Sequence, residues 1–286
     1  MATSKFGDVT SYENFVLSNA IEDAFKSHLD LQQFVTVDND LQGAPGMEKH
    51  VNVYTPSGEA ETVAEGEGNT KKLAVGLTEK VYKIATSQAE FEYTDEREMI
   101  DPNAVAVGAD HLATAMFNDI QKQLYAEFAK ATLGTSASPV ATPNFDAFVD
   151  ATAALDLPDI NATAADYQAQ AIAGVFGILN RADLAKVRKA LGDNLKYVEA
   201  YARAGYVGTV AGVNLYVKQD ATEKTITIAT KKAVTLFNKT GVELENITKG
   251  KRSEVYADKR KNLLISRKYY VAALTDATQA YSLVLA

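Results

Sequence analysis

The sequence predicts an α+β fold in which a long β-hairpin and a long helix precede a region of alternating α and β structure. Between His50 and Tyr93 apolar and polar residues alternate on both sides of a Gly- and Glu-rich tip, which indicates two extended strands. At Asp101-Pro102 the apolar spacing changes to three or four, which indicates a helix of about 30 residues. The hairpin has no obvious core of its own to lie on, so we expect another subunit to cover it.

The N-terminal residues 12–35 predict a helical arm. Their apolar side chains, including Phe15, Ile21 and Phe25, recur at three-to-four spacing, as in an amphipathic helix. The stretch 38–46 that follows contains Gly and Pro and has no core pattern. Because the helix stands alone before this loose linker, we interpret it as an arm that reaches across a neighbouring surface.

The hairpin has an acidic tip and an unusually long return strand. Four glutamates lie at the tip, namely Glu59, Glu61, Glu65 and Glu67. The return strand alternates from Leu73 to Tyr93. A strand of that length would span about 65 Å at ~3.3 Å per residue, so we expect a bend or a break within it.

The long helix has the clearest pattern in the chain. Asp101 suits its N-cap and Pro102 its first turn, and we expect it to end near Gly134, about 45 Å away. One apolar stripe runs along it, formed by Val105, Ala109, Leu112, Met116, Ile120, Leu124 and Phe128.

The remainder of the chain predicts helices alternating with strands after a small-residue loop at 134–144. We expect helices at 145–155 and 181–191, and strands at 171–179, 206–217, 225–229, 242–247, 263–266 and 269–274, with a final strand ending at Leu285. A basic turn at 249–252 separates two of these strands.

Composition indicates a soluble globular protein, with 47% hydrophobic and 23% charged residues. No apolar run reaches the length of a membrane helix, no signal-type segment follows Met1, and there is no cysteine. We therefore expect synthesis in the cytoplasm and no disulfide framework. The net charge of −8 disfavours general nucleic-acid binding.

The charge is divided unevenly along the chain. Residues 1–101 carry 19 acids and 8 bases, 102–217 carry 11 and 8, and 218–286 carry 7 and 13. The net charges are therefore −11, −3 and +6, which favours contact between unlike regions of neighbouring copies. The alternative is that the acidic and basic regions are separately solvated surfaces.

No pattern in the sequence identifies an active site, a metal site or a cofactor site. The three histidines lie in three different predicted elements, and no phosphate-binding loop or nucleophile motif is present. Asp38-Asn39-Asp40 begins like a calcium loop, but its twelfth position is Lys49 where a glutamate is required. The carboxylates between Glu90 and Asp101 can be read as an acid–base pair or, as we prefer, as a solvated or interfacial strand edge.

The order of these parts resembles the major capsid proteins of tailed bacteriophages, which have the Hong Kong 97-like fold. The resemblance covers nearly the whole chain and includes short segments of similar kind: Phe91-Glu-Tyr-Thr-Asp-Glu96, Phe176-Gly-Ile-Leu-Asn180, Ala182-Asp-Leu-Ala-Lys-Val-Arg188, Gly208-Thr-Val-Ala-Gly212-Val-Asn-Leu-Tyr-Val217, Arg267-Lys-Tyr-Tyr-Val-Ala-Ala-Leu274 and Tyr281-Ser-Leu-Val-Leu285.

The resemblance implies a division of the chain into named parts. These are an N-terminal arm at 1–48, an extended loop at 49–86, a peripheral domain with the spine helix at 87–133, an α/β axial domain at 134–245, a basic turn of the peripheral domain at 246–262, and closing strands of the axial domain at 263–286.

The resemblance also implies a function and partners. Such a protein is no enzyme and needs no cofactor; it forms hexamers and pentamers of an icosahedral shell that encloses double-stranded DNA, and it is assembled in the host cytoplasm. The implied partners are further copies of itself, a separate scaffolding protein, a portal protein and, in some members, decoration proteins, with no membrane. Some members crosslink a loop lysine to a neighbour's asparagine, for which Lys71 or Lys72 and Asn246 or Asn262 are candidates.

We expect the acidic loop tip to lie over the basic segment of an adjacent subunit, while the arm helix adds apolar contacts. The basic residues are Lys249, Lys251, Arg252, Lys259, Arg260 and Lys261. Two other interpretations stay open: an encapsulin, which is a bacterial nanocompartment that encloses cargo enzymes, and an α/β hydrolytic enzyme whose carboxylates would converge in a pocket.

Overall fold

The computed structural model describes residues 30–43, 45–58, 61–63, 68, 70–100, 104–157, 174–197, 199, 205–248, 251 and 253–286. Most of the predicted arm helix, with Phe15, Ile21 and Phe25, lies outside these residues. The described end of this segment differs from the prediction, because Leu31–Phe34 form a single 3₁₀ turn and not the last turn of an α-helix. The Asp30 carboxylate accepts a hydrogen bond from the Gln32 amide, which caps this turn.

Within the described residues the chain forms twelve strands and five α-helices. The strands are β1 (Thr36–Asp38), β2 (Glu48–Ser57), β3 (Ala74–Lys83), β4 (Ala85–Thr94), β5 (Val175–Asn180), β6 (Tyr206–Val210), β7 (Val213–Lys218), β8 (Thr225–Ala229), β9 (Val234–Asn238), β10 (Glu243–Ile247), β11 (Lys261–Leu274) and β12 (Ala280–Val284). The helices are α1 (Asp95–Ile100), α2 (Ala104–Phe128), α3 (Phe145–Ala153), α4 (Leu184–Leu191) and α5 (Glu254–Asp258).

The first sheet is organised around β11. On one edge β11 pairs antiparallel with β4 over ten residues, from Lys261 opposite Thr94 to Tyr270 opposite Ala85. On its other edge it pairs with β10 and then with β9. The short strand β1 adds in parallel to β9 and completes the five strands.

The second sheet has the strand order β12-β8-β5-β7-β6. β5 lies in its centre, parallel to β7 and antiparallel to β8. Position 177 in β5 suits glycine, because a Cβ there would stand 2.7 Å from Leu215 Cδ2 of β7. A second core cluster, including Phe148 of α3 and Val187 of α4, packs on this sheet.

Helix α2 joins the two sheets into one core. The predicted stripe is confirmed from Ala109 onward, since its residues are buried, and Ile120, Leu124 and Phe128 are fully so. The Phe128 ring meets Phe176 of the second sheet edge-on, with 5.5 Å between ring centroids. Apolar burial of this stripe is therefore the main stabilising contribution of α2.

Polar contacts also fix α2 on the first sheet. The Asp119 carboxylate accepts hydrogen bonds from the Ser87 hydroxyl of β4 at 2.5 Å and from the Tyr270 hydroxyl of β11 at 3.0 Å. Burial raises the pKa of Tyr270, and the adjacent Asp119 carboxylate adds to the rise. This bridge ties the helix to two paired strands at one point.

Several predicted boundaries are wrong. Helix α2 ends at Phe128, well before Gly134, and residues 95–100, which we expected to be strand edge, are helical. The predicted strand at 206–217 is a hairpin of β6 and β7, because Ala211 and Gly212 both have positive φ and turn the chain. The two strands predicted at 263–266 and 269–274 are one strand, β11, and β9 was not predicted at all.

The long return strand does break, as expected from its length. β3 ends at Lys83, β4 begins at Ala85, and Ile84 between them is buried. The two halves have different partners: β3 pairs only with β2, in a separate two-stranded sheet, whereas β4 belongs to the first sheet. The break thus lets the hairpin leave the body of the protein.

Candidate functional site

The β2–β3 hairpin exposes apolar side chains on its outer face. Alternate residues of a strand share a face, so Val75, Leu77 and Val81 of β3 lie on one side of the hairpin, with His50 of β2 opposite Val81. Leu73, Val75 and Leu77, here called the tip patch, are 76%, 66% and 59% exposed. Three neighbouring apolar side chains at the end of a projecting hairpin form a surface suited to association.

The base of the hairpin is anchored through its other face. Lys49 Nζ lies 3.2 Å from an Asp38 carboxylate oxygen and 3.1 Å from one of Asp40. The Tyr82 ring stacks on Phe237 of β9, with 5.3 Å between centroids. The hydrogen bond to Asp40 raises the pKa of Lys49, and Asp38 adds to this effect. The hairpin therefore projects from a fixed base.

The same contacts explain why Asp38-Asn39-Asp40 is not arranged as a calcium loop. The ammonium group of Lys49, which occupies the twelfth position, lies between the two carboxylates and supplies the positive charge itself. Within the described part of the chain, no group of three or more His, Asp or Glu side chains is arranged to hold a metal ion.

At the hairpin tip, Glu61 is used inside its own chain. Its carboxylate accepts hydrogen bonds from the Lys71 amide at 2.9 Å and from the Thr70 hydroxyl at 2.8 Å. These bonds lower the pKa of Glu61, and the bond from the Lys71 amide has the largest effect. Glu61 therefore shapes the tip, while the other predicted acids, Glu59, Glu65 and Glu67, lie outside the described residues.

The predicted basic segment is only partly available to another subunit. Arg260 Nε lies 2.8 Å from a Glu96 carboxylate oxygen, and Lys261 pairs with Glu92 of the adjacent strand. Lys251 and Lys259 are exposed and form no ion pair within the described residues. Lys249 and Arg252 lie outside those residues. Among the described residues, the hypothesis of an acidic tip over a basic segment therefore depends on Lys251 and Lys259.

The carboxylates between Glu90 and Asp101 do not converge on a shared pocket in the described residues. Glu92 and Glu96 pair with the two basic residues at the start of β11, and Asp95 Oδ1 accepts a hydrogen bond from Asn262 at 3.0 Å. The cleft beside β1 is lined instead by Asp38, Lys49 and their neighbours. An arrangement of this kind stabilises the sheet and offers no acid–base pair to a substrate.

Three more exposed apolar side chains, which the sequence analysis missed, lie on the two helices next to the end of the first sheet where β4 ends and β11 begins. Met99 and Ile100 of α1 and Val255 of α5, here called the end patch, are all exposed. The Asp95 amide donates to the Arg260 carbonyl at 3.0 Å, which joins the starts of α1 and β11. The signal available in the sequence was the apolar pair that closes the otherwise charged segment Asp95–Ile100.

The asparagines considered for crosslinking are not readily accessible. Asn262 is 1% exposed, and its side-chain amide donates to Asp95. The side-chain oxygen of Asn246 is buried without a hydrogen-bond partner. Lys71 and Lys72 are exposed at the tip. A covalent link to Asn262 would require the first sheet to open locally, whereas Asn246 is partly exposed.

Comparison with known proteins identifies the fold. No protein-family model matches the sequence, and no curated protein sequence matches it. A virus-like particle from Pyrococcus furiosus aligns over 94% of this chain and 98% of its own, with a TM-score of 0.58 and 12% identity. The mature capsid of bacteriophage PhiM1 aligns over 88% and 86%, with a TM-score of 0.59 and 9% identity. The capsid of a native GTA particle aligns over 90% of both chains, with a TM-score of 0.57 and 15% identity.

These alignments span 88–94% of the chain. Among the described residues there is also no helix long and apolar enough to cross a membrane. The sequence identities are low, so the likeness concerns the fold and not individual residues. The chain has the Hong Kong 97-like fold of tailed-bacteriophage major capsid proteins.

Proposed function

We propose that this chain is the major capsid protein of a tailed bacteriophage. Its copies assemble into hexamers and pentamers of an icosahedral shell that encloses double-stranded DNA, in the host cytoplasm and then in the virion. The observation that carries the proposal is the likeness of nearly the whole chain to capsid and virus-like-particle subunits. The protein's work is then structural, and its functional sites are contacts between copies.

Two different apolar surfaces support a closed assembly. The tip patch lies at the end of the hairpin, whereas the end patch lies on α1 and α5 at the end of the first sheet. A single self-complementary surface would stop at a dimer, but contacts between unlike surfaces generate rings or open chains. Distinct exposed surfaces on one chain are thus what a shell of hexamers and pentamers requires.

In the proposed shell the acidic tip faces the basic segment of an adjacent subunit. Of the basic segment, the exposed Lys251 and Lys259 are the described cations without an ion pair, and the tip contributes Glu59, Glu65 and Glu67 beside Glu61, whose carboxylate also binds its own chain. Exposed ion pairs are individually weak, so they set the register of the contact while apolar burial supplies its strength. Weak and repeated contacts let misplaced subunits leave before closure.

The remaining proposed parts follow the same assignment. Residues 1–48 form the arm, with Phe15, Ile21 and Phe25 against a neighbour, and 49–86 form the extended loop. Residues 87–133 with 246–262 form the peripheral domain, and 134–245 with 263–286 the axial domain. A separate scaffolding protein, a portal protein and decoration proteins are the proposed partners.

The first test is the size of the assembly. The purified chain, alone and with its scaffolding protein, is analysed by sedimentation and electron microscopy, and we expect closed particles of megadalton mass. A single compact molecule or a small oligomer under every condition would refute the proposal.

The second test addresses the charged contact. Changing Glu59, Glu61, Glu65 and Glu67 to lysine should abolish shells while circular dichroism shows a folded subunit. A control with the same change in charge reverses four exposed acids outside the hairpin, namely Asp150, Asp193, Asp220 and Glu223. Normal shells from the hairpin variant would reject the pairing, and loss of shells in both would assign the effect to net charge.

A nanocompartment shell of the encapsulin type is the alternative function, favoured by the likeness to the Pyrococcus furiosus particle over nearly both full lengths. The contents of the particles distinguish the two functions. Double-stranded DNA inside particles from infected cells supports the phage capsid, whereas a packaged enzyme supports the nanocompartment.

A further inference from the structure

A row of charged side chains crosses the base of the hairpin on its outer face. The strand pairing places Glu48 opposite Lys83 and His50 opposite Val81. His50 Nδ1 lies 2.5 Å from Glu79 Oε1, and its Nε2 lies 3.6 Å from Glu48 Oε2. Lys83 Nζ lies 3.4 Å from Glu48 Oε1. One imidazole ring thus connects carboxylates of both hairpin strands.

The protonation of this ring decides how many of these contacts hold. A protonated imidazole donates from both nitrogens, whereas the neutral ring donates from only one. The hydrogen bond with Glu79, together with the negative charges of Glu79 and Glu48, raises the pKa of His50 above 6.5. After the proton is lost, the neutral ring donates to only one of the two carboxylates, and among the described residues only Glu48 keeps a cationic partner, Lys83.

Other charged groups around the hairpin base do not replace this role. Asp38 and Asp40 line the cleft beside His50, but both pair with Lys49 on the other face of the hairpin. Lys80 lies on the opposite face of β3, where its ammonium group donates to the Thr275 carbonyl at 3.1 Å. Tyr82 lies on that same face against Phe237.

We propose that His50 is a proton-controlled clasp that holds β2 and β3 together at the base of the hairpin and so controls how firmly the tip patch is presented. The clasp is a property of the folded chain by itself. Its consequence for assembly rests on the proposed shell function, in which the tip patch is covered by a neighbour.

The direction of the pH dependence follows from the raised pKa. A group whose pKa is higher in the folded state contributes stability that is fully present below its unfolded value and is lost as the pH rises through the folded value. For His50 the contribution is therefore complete below pH 6.5 and disappears above the raised pKa. The hairpin is stiffest at mildly acidic pH and looser at alkaline pH.

The clasp is tested first by the titration of the ring. The rate of deuterium exchange at the C2 carbon of each histidine, measured against pH by mass spectrometry, gives its pKa in subunits and in shells alike. We expect the pKa of His50 to lie above 6.5 and to fall towards that value in Glu79→Gln. An unshifted pKa in the original chain, or the same pKa in the variant, would overturn the proposal.

Backbone amide exchange tests the mechanical consequence. After correction for intrinsic rates, amides of β2 and β3 should lose protection as the pH rises through the pKa of His50. In His50→Gln these amides should exchange fast at pH values below and above the pKa of His50. The control His111→Gln, on the exposed face of α2, should behave like the original chain. Protection in His50→Gln that still depends on pH would also overturn the proposal.

Shell formation separates the clasp from the function. If the titration and exchange results hold but no shells form at any pH, the shell function fails and the clasp stands. If shells form and His50→Gln assembles with the same pH dependence as the original chain, the regulatory consequence of the clasp is refuted.

Discussion

The tip patch is the surface whose removal most directly tests the assembly. We consider a variant with Leu73→Ser, Val75→Ser and Leu77→Ser. These side chains are 76%, 66% and 59% exposed, so the subunit loses little of its own core when they become polar. The change therefore separates contacts between subunits from contacts within one.

The magnitude follows from the exposed fractions. Burying a Val or Leu side chain fully contributes about 1.5–3 kcal/mol. About two-thirds of each side chain is still available, so covering all three contributes roughly 3–6 kcal/mol per hairpin as an upper bound. Because 1.4 kcal/mol is a factor of ten, the loss weakens each contact by about 10²–10⁴-fold.

The assay is sedimentation velocity over a range of subunit concentrations, with circular dichroism to confirm folding. The control variant carries Ala74→Ser and Thr78→Ser, on the opposite face of the same strand, and so contains any effect of serine on strand formation. We expect shells from the control and only free subunits from the tip-patch variant. Shells from the tip-patch variant at the lowest concentration at which the original chain forms shells would refute the role of this surface.

Three further predictions address the fold and its pH dependence. Gly108→Ala should lower the unfolding free energy by about 1 kcal/mol, because its Cβ would overlap the Phe91 ring. In a Phe91→Ala background the same change should instead stabilise the chain by up to about 1 kcal/mol, and denaturant unfolding measures both effects. Because the pKa of Glu61 is lowered in the folded chain, the hydrogen bonds that it accepts persist above pH 4.5 and are lost as the pH falls through the folded pKa. The amides of the hairpin tip should lose exchange protection at that lower pH, and Glu61→Gln should abolish this pH dependence. Lys49→Met should destabilise the chain by about 1 kcal/mol in thermal unfolding. If Lys49→Met destabilises a chain with Asp38→Asn and Asp40→Asn by the same amount, the role of the ion pairs is contradicted.

Local patterns predicted the elements that depend on one residue period. The stripe of α2 repeats every three to four residues and packs on a single core, so its burial followed directly from the spacing. The break near Ile84 followed from strand length. By contrast, the charged pair Arg267-Lys268 led us to divide β11 into two predicted strands. Lys268 is in fact buried within the strand, with its ammonium group 5.8 Å from the Tyr270 ring centroid.

Contacts between distant segments were not available from local patterns. Charge counts predicted contact between the acidic residues 1–101 and the basic residues 218–286 of neighbouring copies, and did not indicate pairing within one chain. The structure pairs Arg260 and Lys261 with Glu96 and Glu92 of the same chain. Lys49, which pairs with Asp38 and Asp40, was noted only as the residue that disqualifies a calcium loop.

The long ladder between β4 and β11 has a mechanical consequence. β4 continues the hairpin strand beyond Ile84, and β11 leads through a short turn into β12 of the second sheet. A pull on the hairpin from a neighbour therefore runs along the strands, where the cross-strand hydrogen bonds lie perpendicular to the force and resist it together. A pressurised container built from this chain would carry its tension through that ladder into both sheets, so rupture should begin at contacts between subunits before the subunits themselves give way.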